Sequence, residues 1–292
     1  MQGINLHKMY KLIISFILSI SCTFQSSGQI TSTWFSFKEI EKNVWVIDDH
    51  KAVNVYLIIG KDSSLVVDTG IGSADLHSLI SKLTDKPLIV VNSHGHSDHA
   101  GGNYQFAKVF VHPQDSLNAR ICNLPENRLS AAKNMLHGES PSKDDMFTGT
   151  AIHTKLIPVH EGHLFNLGDR VIQVIETPGH TPGSICLLDM TNKLLFSGDN
   201  NNTLVWLFLK GCLPLHDYLK TLEKLELRIK EFETLFPGHG IPKPAAFVHD
   251  QISCVKSILN GTCESVEYKS FAGDAMMCTF GQASVAYNPD NL

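Results

Sequence analysis

Three imidazoles and a carboxylate fall within six residues of this 292-residue chain, in the stretch Ser93-His94-Gly95-His96-Ser97-Asp98-His99-Ala100-Gly101-Gly102. That grouping is suited to holding metal. Two imidazoles at i and i+2 in a tight loop can converge on one ion, and Asp98 and His99 turn toward a neighbouring position where a second ion can sit. Gly95 permits a bend that a β-carbon would hinder, and Gly101 and Gly102 allow close packing against the loop. A polar loop of solvated histidines explains one or two such residues. It does not explain three with an aspartate, placed directly after the apolar run Leu88-Ile89-Val90-Val91.

One loop cannot complete a two-metal site, so partners are expected further along. Thr177-Pro178-Gly179-His180-Thr181-Pro182-Gly183 sets His180 in a turn stiffened by Pro and Gly. Ser197-Gly198-Asp199 ends the apolar run Leu194-Leu195-Phe196 with a carboxylate, and Pro237-Gly238-His239-Gly240 follows Thr234-Leu235-Phe236 with an imidazole. Each is a turn at a strand end, where a rigid scaffold commonly presents functional residues.

The elements that must position these turns alternate between strand and helix patterns. Strands are expected at 44–47, 53–59, 64–67, 88–91, 108–111, 171–176, 185–189, 194–196 and 234–236, with an edge strand in the tail at 283–287. Helices are expected at 74–83, at 215–232 from Leu215, Leu219, Leu222, Leu225, Ile229 and Phe232, and at 245–259, closed by Asn260-Gly261. Residues 115–155 show weak periodicity and read as a lid or insertion, in which His137 and His153 could reach a substrate. This is one α/β domain over residues 30–292.

Composition narrows the function classes. The chain is 43% hydrophobic and 18% charged, which supports a sizeable core and excludes a disordered chain or a multi-span membrane protein. A net charge of −5 makes nucleic acid an unfavourable partner. At the N-terminus, Lys8 and Lys11 precede an apolar run from Leu12 to Ile20, and small residues follow. That order reads as an export signal over residues 1–21, too short to span a bilayer. Cys22 after Ser21 is a candidate lipid anchor, although Ser19 stands where a lipoprotein signal usually carries a large apolar residue. The seven cysteines form no CxxC metal pattern; Cys186 reads as a buried thiol, and a bridge among Cys254, Cys263 and Cys278 is open.

HGHSDHAGG, TPGHTPGS, SGD and PGHG, in that order, resemble the metallo-β-lactamase-fold hydrolase superfamily over roughly residues 35 to 245. The resemblance implies a four-layer αββα sandwich with metals in a cleft at one edge. Carried over by position, His94, His96 and His180 would hold one divalent ion. Asp98, His99 and His239 would hold a second, and Asp199 would bridge them. The donor set suits zinc, accepts iron or manganese, and disfavours calcium and magnesium, which prefer all-oxygen shells. A water between two cations would be deprotonated near neutral pH and attack a carbonyl, with Asp98 orienting it and handling a proton. Asp68, in Asp68-Thr69-Gly70, resembles a family position that accepts a hydrogen bond from a ligand or a backbone amide; as a bare pattern it is also an ordinary turn aspartate.

The resemblance also ranks activities. One subclass of β-lactamases carries a cysteine at the position of Asp199, and another lacks the bridging aspartate. Asp199 resembles instead the pattern of glyoxalase-II-type thioesterases and lactonases. Export disfavours substrates built on cytosolic thiols. The expectation is an exported hydrolase of a small ester, lactone or thioester, with a β-lactamase, a phosphodiesterase, a di-iron redox protein and a non-catalytic metal binder as alternatives. Thr203–Leu209 is too apolar for an open loop, so Trp206 either lines a pocket for an acyl chain or ring or packs in a core. Oligomeric state is not readable.

Overall fold

The computed structural model describes residues 32–136, 139–147, 151 and 153–292. The expected export signal, Cys22 and His137 lie outside them. Among the described residues no helix is long and apolar enough to cross a membrane.

The first sheet has seven strands in chain order: β1 (Phe35–Glu41), β2 (Val44–Asp49), β3 (Val53–Ile59), β4 (Ser64–Val67), β5 (Leu88–Val91), β6 (Lys108–Val111) and β7 (Lys155–Pro158). It is an antiparallel meander up to β4 and parallel from β4 to β7. Its parallel half needs crossovers. Helix α1 (Leu76–Leu83) joins β4 to β5, with Asp75 capping its first turn by accepting from the Ser78 N–H at 2.9 Å. The one-turn helix α2 (Ser97–Ala100) follows β5, and α3 (Ser116–Cys122) and α4 (Pro125–Met135) follow β6.

The second sheet contains β8 (Leu164–Asn166), β9 (Val171–Glu176), β10 (Ile185–Asp189) and β11 (Leu194–Gly198). β12 (Leu204–Leu207) then leaves it, and helix α5 (Leu215–Leu227) leads back to β13 (Thr234–Pro237) and β14 (Lys243–Pro244). Helix α6 (Phe247–Leu259) precedes β15 (Val266–Ser270), β16 (Gly273–Phe280) and β17 (Ala283–Tyr287), which join β12 in a third sheet of order β12-β17-β16-β15.

Period-2 alternation builds the layers. All five residues of β10 are buried. Ile185 and Leu187 face a core shared with Tyr56, Ile58, Leu65 and Val91 of the first sheet, whereas Cys186 and Leu188 face Leu222, Leu225, Val248 and Val255 of α5 and α6. Ala100 and Ala119 of α2 and α3 pack on the far side of the first sheet against Val111. Helix, sheet, sheet, helix is the expected four-layer α/β sandwich, with the third sheet packed beside α6.

Several elements depart from the sequence reading. β17 is not an edge strand; it sits between β12 and β16, because Val285 is the apolar partner of both Val205 and Cys278. α5 stops at Leu227, and Phe232 reaches the same core from the following turn. Residues 115–135 form two short helices, and no residue of α4 is fully buried, which is why no apolar period marks it. Cys263 is bonded to Cys278, leaving Cys254 free.

Candidate metal centre

Strand direction gathers the motifs. β4 and β5 are parallel, β11 and β13 are parallel, and β9 runs the same way as β11 across the antiparallel β10. The C-terminal ends of β4, β5, β9, β11 and β13 therefore deliver Asp68, His94 to His99, His180, Asp199 and His239 to one edge of the sandwich. Backbone bonds sew the two sheets together there: Ile185 N–H donates to the Ser93 carbonyl and Asn54 N–H to Gly238, both at 2.8 Å, while Gly238 N–H donates to Gly198 at 2.7 Å and holds the ends of β11 and β13 side by side.

The donor atoms form two adjoining groups. In the first, His96 Nδ1 lies 3.1 Å from His94 Nε2 and 2.9 Å from His180 Nε2. In the second, Asp98 Oδ2 lies 3.5 Å from His99 Nε2 and 3.2 Å from His239 Nε2. Asp199 stands between them, with Oδ1 3.2 Å from His99 Nε2 and Oδ2 3.5 Å from His180 Nε2 and 3.3 Å from His239 Nε2. Within each group the donors lie within 4.8 Å of one another, so each can hold a metal ion. His99 Nε2 and Asp199 Oδ1 are buried without a hydrogen-bond partner. Buried polar atoms left in that state are costly, and a cation between them satisfies both.

The outer ring nitrogens are tied. His99 Nδ1 donates to Asp68 Oδ2 at 2.8 Å, which turns its Nε2 toward the site. Asp68 also accepts from the Ser93 N–H at 2.7 Å and the Ser93 hydroxyl at 2.8 Å. That hydroxyl sits 3.0 Å from His94 Nδ1, and His180 Nδ1 donates to the Trp206 carbonyl at 2.7 Å. Asp68 adopts φ 67°, a left-handed conformation that Asp tolerates better than most residues, at the point where its strand must turn.

Two glycines are required by close approach. A β-carbon on Gly95 would lie 2.7 Å from the Asp115 carbonyl, and Gly95 is not among the residues with positive φ, so proximity and not a bend explains it. A β-carbon on Gly238 would lie 2.4 Å from Asp199 Oδ1 and 2.7 Å from His99 Cε1, inside the space between donors.

The two groups differ electrostatically. Burial, aided by His99 and His96, pushes His94 well below its ordinary value; burial and the neighbouring His180 bring His96 to about 3. These rings stay neutral with lone pairs free. In the second group burial opposes charge and loses. Asp98 is held at about 2 by His99 and His239, and Asp199 well below the carboxylate range by His239 and His99. Against burial, Asp199 and Asp98 raise His99 well above its usual value and His239 to about 10. This half of the site is built for positive charge.

Three residues that hold the loops have no signature in the sequence motifs. Asp115, fully buried, accepts from Gly95 N–H at 2.8 Å, Thr181 Oγ at 2.6 Å and Gly183 N–H at 3.0 Å, bracing the loop of His94 and His96 against that of His180. It lies in the segment without readable periodicity. Asn200 accepts from the His180 N–H at 3.3 Å, and Asn202 from the His239 N–H at 3.1 Å. The asparagine run directly after Asp199 is the signal that could have marked them.

A cavity of about 510 Å³ opens onto the donors, bounded by Asp98, Asp199 and His239 on one side and by Trp206, Leu209 and Phe271 on another. Trp206 thus lines the cavity with its ring and holds His180 with its carbonyl. His153 is exposed and does not line it. His112, His160 and Glu176 form a further His/Glu group. There His112 Nε2 lies 3.0 Å from Glu176 while its Nδ1 accepts from the Gln114 N–H at 3.4 Å, so the Nε2 proton already occupies the bond.

Residues 48–239 match the Metallo-beta-lactamase superfamily. The chain is 31% identical over 230 residues to the acyl-coenzyme A thioesterase MBLAC2 of Homo sapiens, covering 70% of this chain and 81% of that protein. It is 39% identical over 84 residues to a hydroxyacylglutathione hydrolase of Rhizobium etli, covering 27% of this chain and 30% of that one. The metallo-beta-lactamase structure from Hirschia baltica superposes with a TM-score of 0.53 at 19% identity, over 76% of this chain and 97% of that one, a likeness of fold. With the motifs, the sandwich and the His/Asp donors in agreement, the chain belongs to the metallo-beta-lactamase superfamily and is a hydrolase of it.

Proposed function

We propose that this protein is an exported hydrolase that holds two divalent ions and cleaves the carbonyl bond of a small ester, lactone or thioester. The observation that carries the reading is the pair of adjoining donor groups sharing Asp199, with His99 Nε2 and Asp199 Oδ1 buried and unpartnered between them. Three imidazoles and a mixed nitrogen and carboxylate set fit zinc best, with iron or manganese as alternatives. Two such ions supply an ionised water near neutral pH and polarisation of the carbonyl oxygen.

The chain's own residues supply the rest. His94, His96 and His180 hold the first position, Asp98, His99 and His239 the second, and Asp199 spans both. Asp98, ionised and facing the cavity, would accept a hydrogen bond from the ionised water and, after attack, relay the one proton left on the added oxygen to the leaving group as its bond to the carbonyl carbon breaks. Asp68 and Ser93 fix the orientation of His99 and His94. The thioester is favoured among carbonyl substrates by the thioesterase name of the human relative. Export is supported by the charge and apolar order of residues 1–21 and by the Cys263–Cys278 disulfide, a bond suited to an oxidising compartment.

The test is turnover by zinc-, iron- and manganese-loaded protein across thioesters, lactones, esters, β-lactams and phosphodiesters. The expected result is cleavage of a carbonyl substrate that Asp98→Asn abolishes while measured metal content is kept. Metal-loaded protein that cleaves only phosphodiesters or β-lactams, or an Asp98→Asn variant at full rate, overturns the proposal. The mass of the mature N-terminus decides cleavage after residue 21 and lipidation of Cys22.

A further inference from the structure

We infer that the third sheet carries an acyl-binding wall that selects substrates by the length of an unbranched hydrophobic acyl group. This rests on the hydrolase reading above and adds a ligand class to it. β12 begins a few residues after Asp199, so the sheet is built directly onto the donor turn. Along β12 the alternation is strict: Val205 and Leu207 are buried in the core with α5 and α6, while Leu204 and Trp206 line the cavity. The opposite edge of the sheet returns over the same space. Trp206 lies 5.3 Å from Phe208, 6.2 Å from Tyr268 and 5.6 Å from Phe271, ring centre to ring centre. β12 and β15 are separated by two strands, about 14 Å at ordinary spacing. Their rings meet because they lean together across a concave face.

Phe271 is 64% exposed although it sits in an aromatic cluster beside the cavity. An aromatic ring on a turn tip without cover has a large area to bury on a ligand. The wall is also preformed. Ser270 pairs with Gly273 across a two-residue turn, and the Ser270 hydroxyl accepts from the Ala272 N–H at 3.1 Å and donates to the Gly273 carbonyl at 3.0 Å. Gly273 takes φ 133°, open only to glycine, and Cys263–Cys278 ties β16 to the chain entering β15. A rigid apolar wall beside a polar, metal-ready floor matches an amphipathic substrate: the carbonyl at the donors, the chain along Trp206, Tyr268 and Phe271. The cavity volume of about 510 Å³ falls within the range of small-molecule sites. Tyr268 and Phe271 lie beyond the 48–239 stretch matched to the superfamily.

The experiment compares kcat/KM of the metal-loaded enzyme on p-nitrophenyl acetate, butyrate, hexanoate and octanoate. Burial along the wall raises kcat/KM by about fourfold per methylene until the cavity is filled. Phe271→Ala, a change at an exposed position, and Tyr268→Ala flatten the series. The octanoate-to-acetate ratio then falls by about tenfold or more, expressed in KM. Decanoate binding is followed in parallel by the fluorescence of metal-loaded protein, the signal of Trp206 being assigned by difference from Trp206→Phe. An enzyme that cleaves acetate and octanoate alike, or variants that keep the wild-type ratio, overturn the wall and leave the hydrolase reading standing. Decanoate binding at Trp206 with no ester or thioester cleaved supports the wall and overturns the hydrolase reading.

Discussion

Asp115→Asn tests how far the site depends on a residue that touches no donor atom. The carboxylate accepts from three groups: Gly95 N–H and Thr181 Oγ on one oxygen, Gly183 N–H on the other. Asparagine keeps the shape but offers one oxygen. If that oxygen serves Gly95 and Thr181, the amide NH₂ faces the Gly183 N–H, donor against donor. A stranded buried N–H costs about 1–3 kcal/mol, and the two remaining bonds weaken because they lose the ionised acceptor. The total is about 3–5 kcal/mol, a large part of the roughly 5–15 kcal/mol available to a domain. The melting temperature should fall by about 10 °C or somewhat more. The brace joins the two loops that carry the first donor group, so affinity for the first ion should fall by about 10- to 100-fold. The second group contains only Asp98 from the braced segment's far end, with His99, Asp199 and His239 held by other bonds, so its affinity should change less. Thermal melts of chelated and zinc-loaded protein, with a two-site calorimetric titration, read all three quantities. A variant with wild-type melting and an unchanged pair of affinities refutes the bracing argument.

Asp68→Asn keeps a residue that tolerates φ 67° but leaves one neutral oxygen for the three bonds that the carboxylate accepts from Ser93 N–H, the Ser93 hydroxyl and His99 Nδ1, so second-ion affinity should drop about 10- to 100-fold in a zinc titration, with secondary structure by circular dichroism unchanged. Zinc binding at the second position should release protons, because His239 is raised to about 10 in the ion-free site; its affinity should rise by about tenfold per pH unit for each proton displaced and level off above that value, as calorimetry in buffers of different ionisation heat will show. In chelated protein the same pairing gives a two-sided stability profile: the His239 contribution is complete below 6.5 and lost as pH rises through about 10, while the Asp98 contribution is present above 3.8 and lost as pH falls through about 2, measurable by melts across pH. Cys263→Ser should lower stability by about 3 kcal/mol, the value for closing a loop of this length, and dithiothreitol should reproduce the shift in wild-type denaturant curves and not in the variant.

The sequence by itself determined the donors and the architecture that presents them. His94 to His99 are legible because metal chemistry constrains residue type and short spacing at once, and both are local. His180, Asp199 and His239 are legible because each follows an apolar run and is flanked by Gly or Pro. The sandwich is legible because β10 and its neighbours are apolar on both faces, a pattern that only a doubly covered sheet produces. Tertiary structure alone decided the rest. Whether seven donors meet depends on strand direction and order, and no local pattern encodes which strand ends share an edge. Asp115 acts through backbone N–H groups 20 and 68 residues away, and an acceptor of backbone bonds leaves no residue-type signature at its partners. β12 is apolar at all four positions, so its inside and outside faces cannot be told apart in the sequence; β15 and β16 carry many exposed residues, so their patterns are faint; and β17 becomes an interior strand only because β12 arrives from another part of the chain. The pairing of Cys263 with Cys278 and the gathering of Trp206, Tyr268 and Phe271 over the cleft follow from that same long-range sheet, since contacts between distant segments are set by packing and not by sequence neighbours.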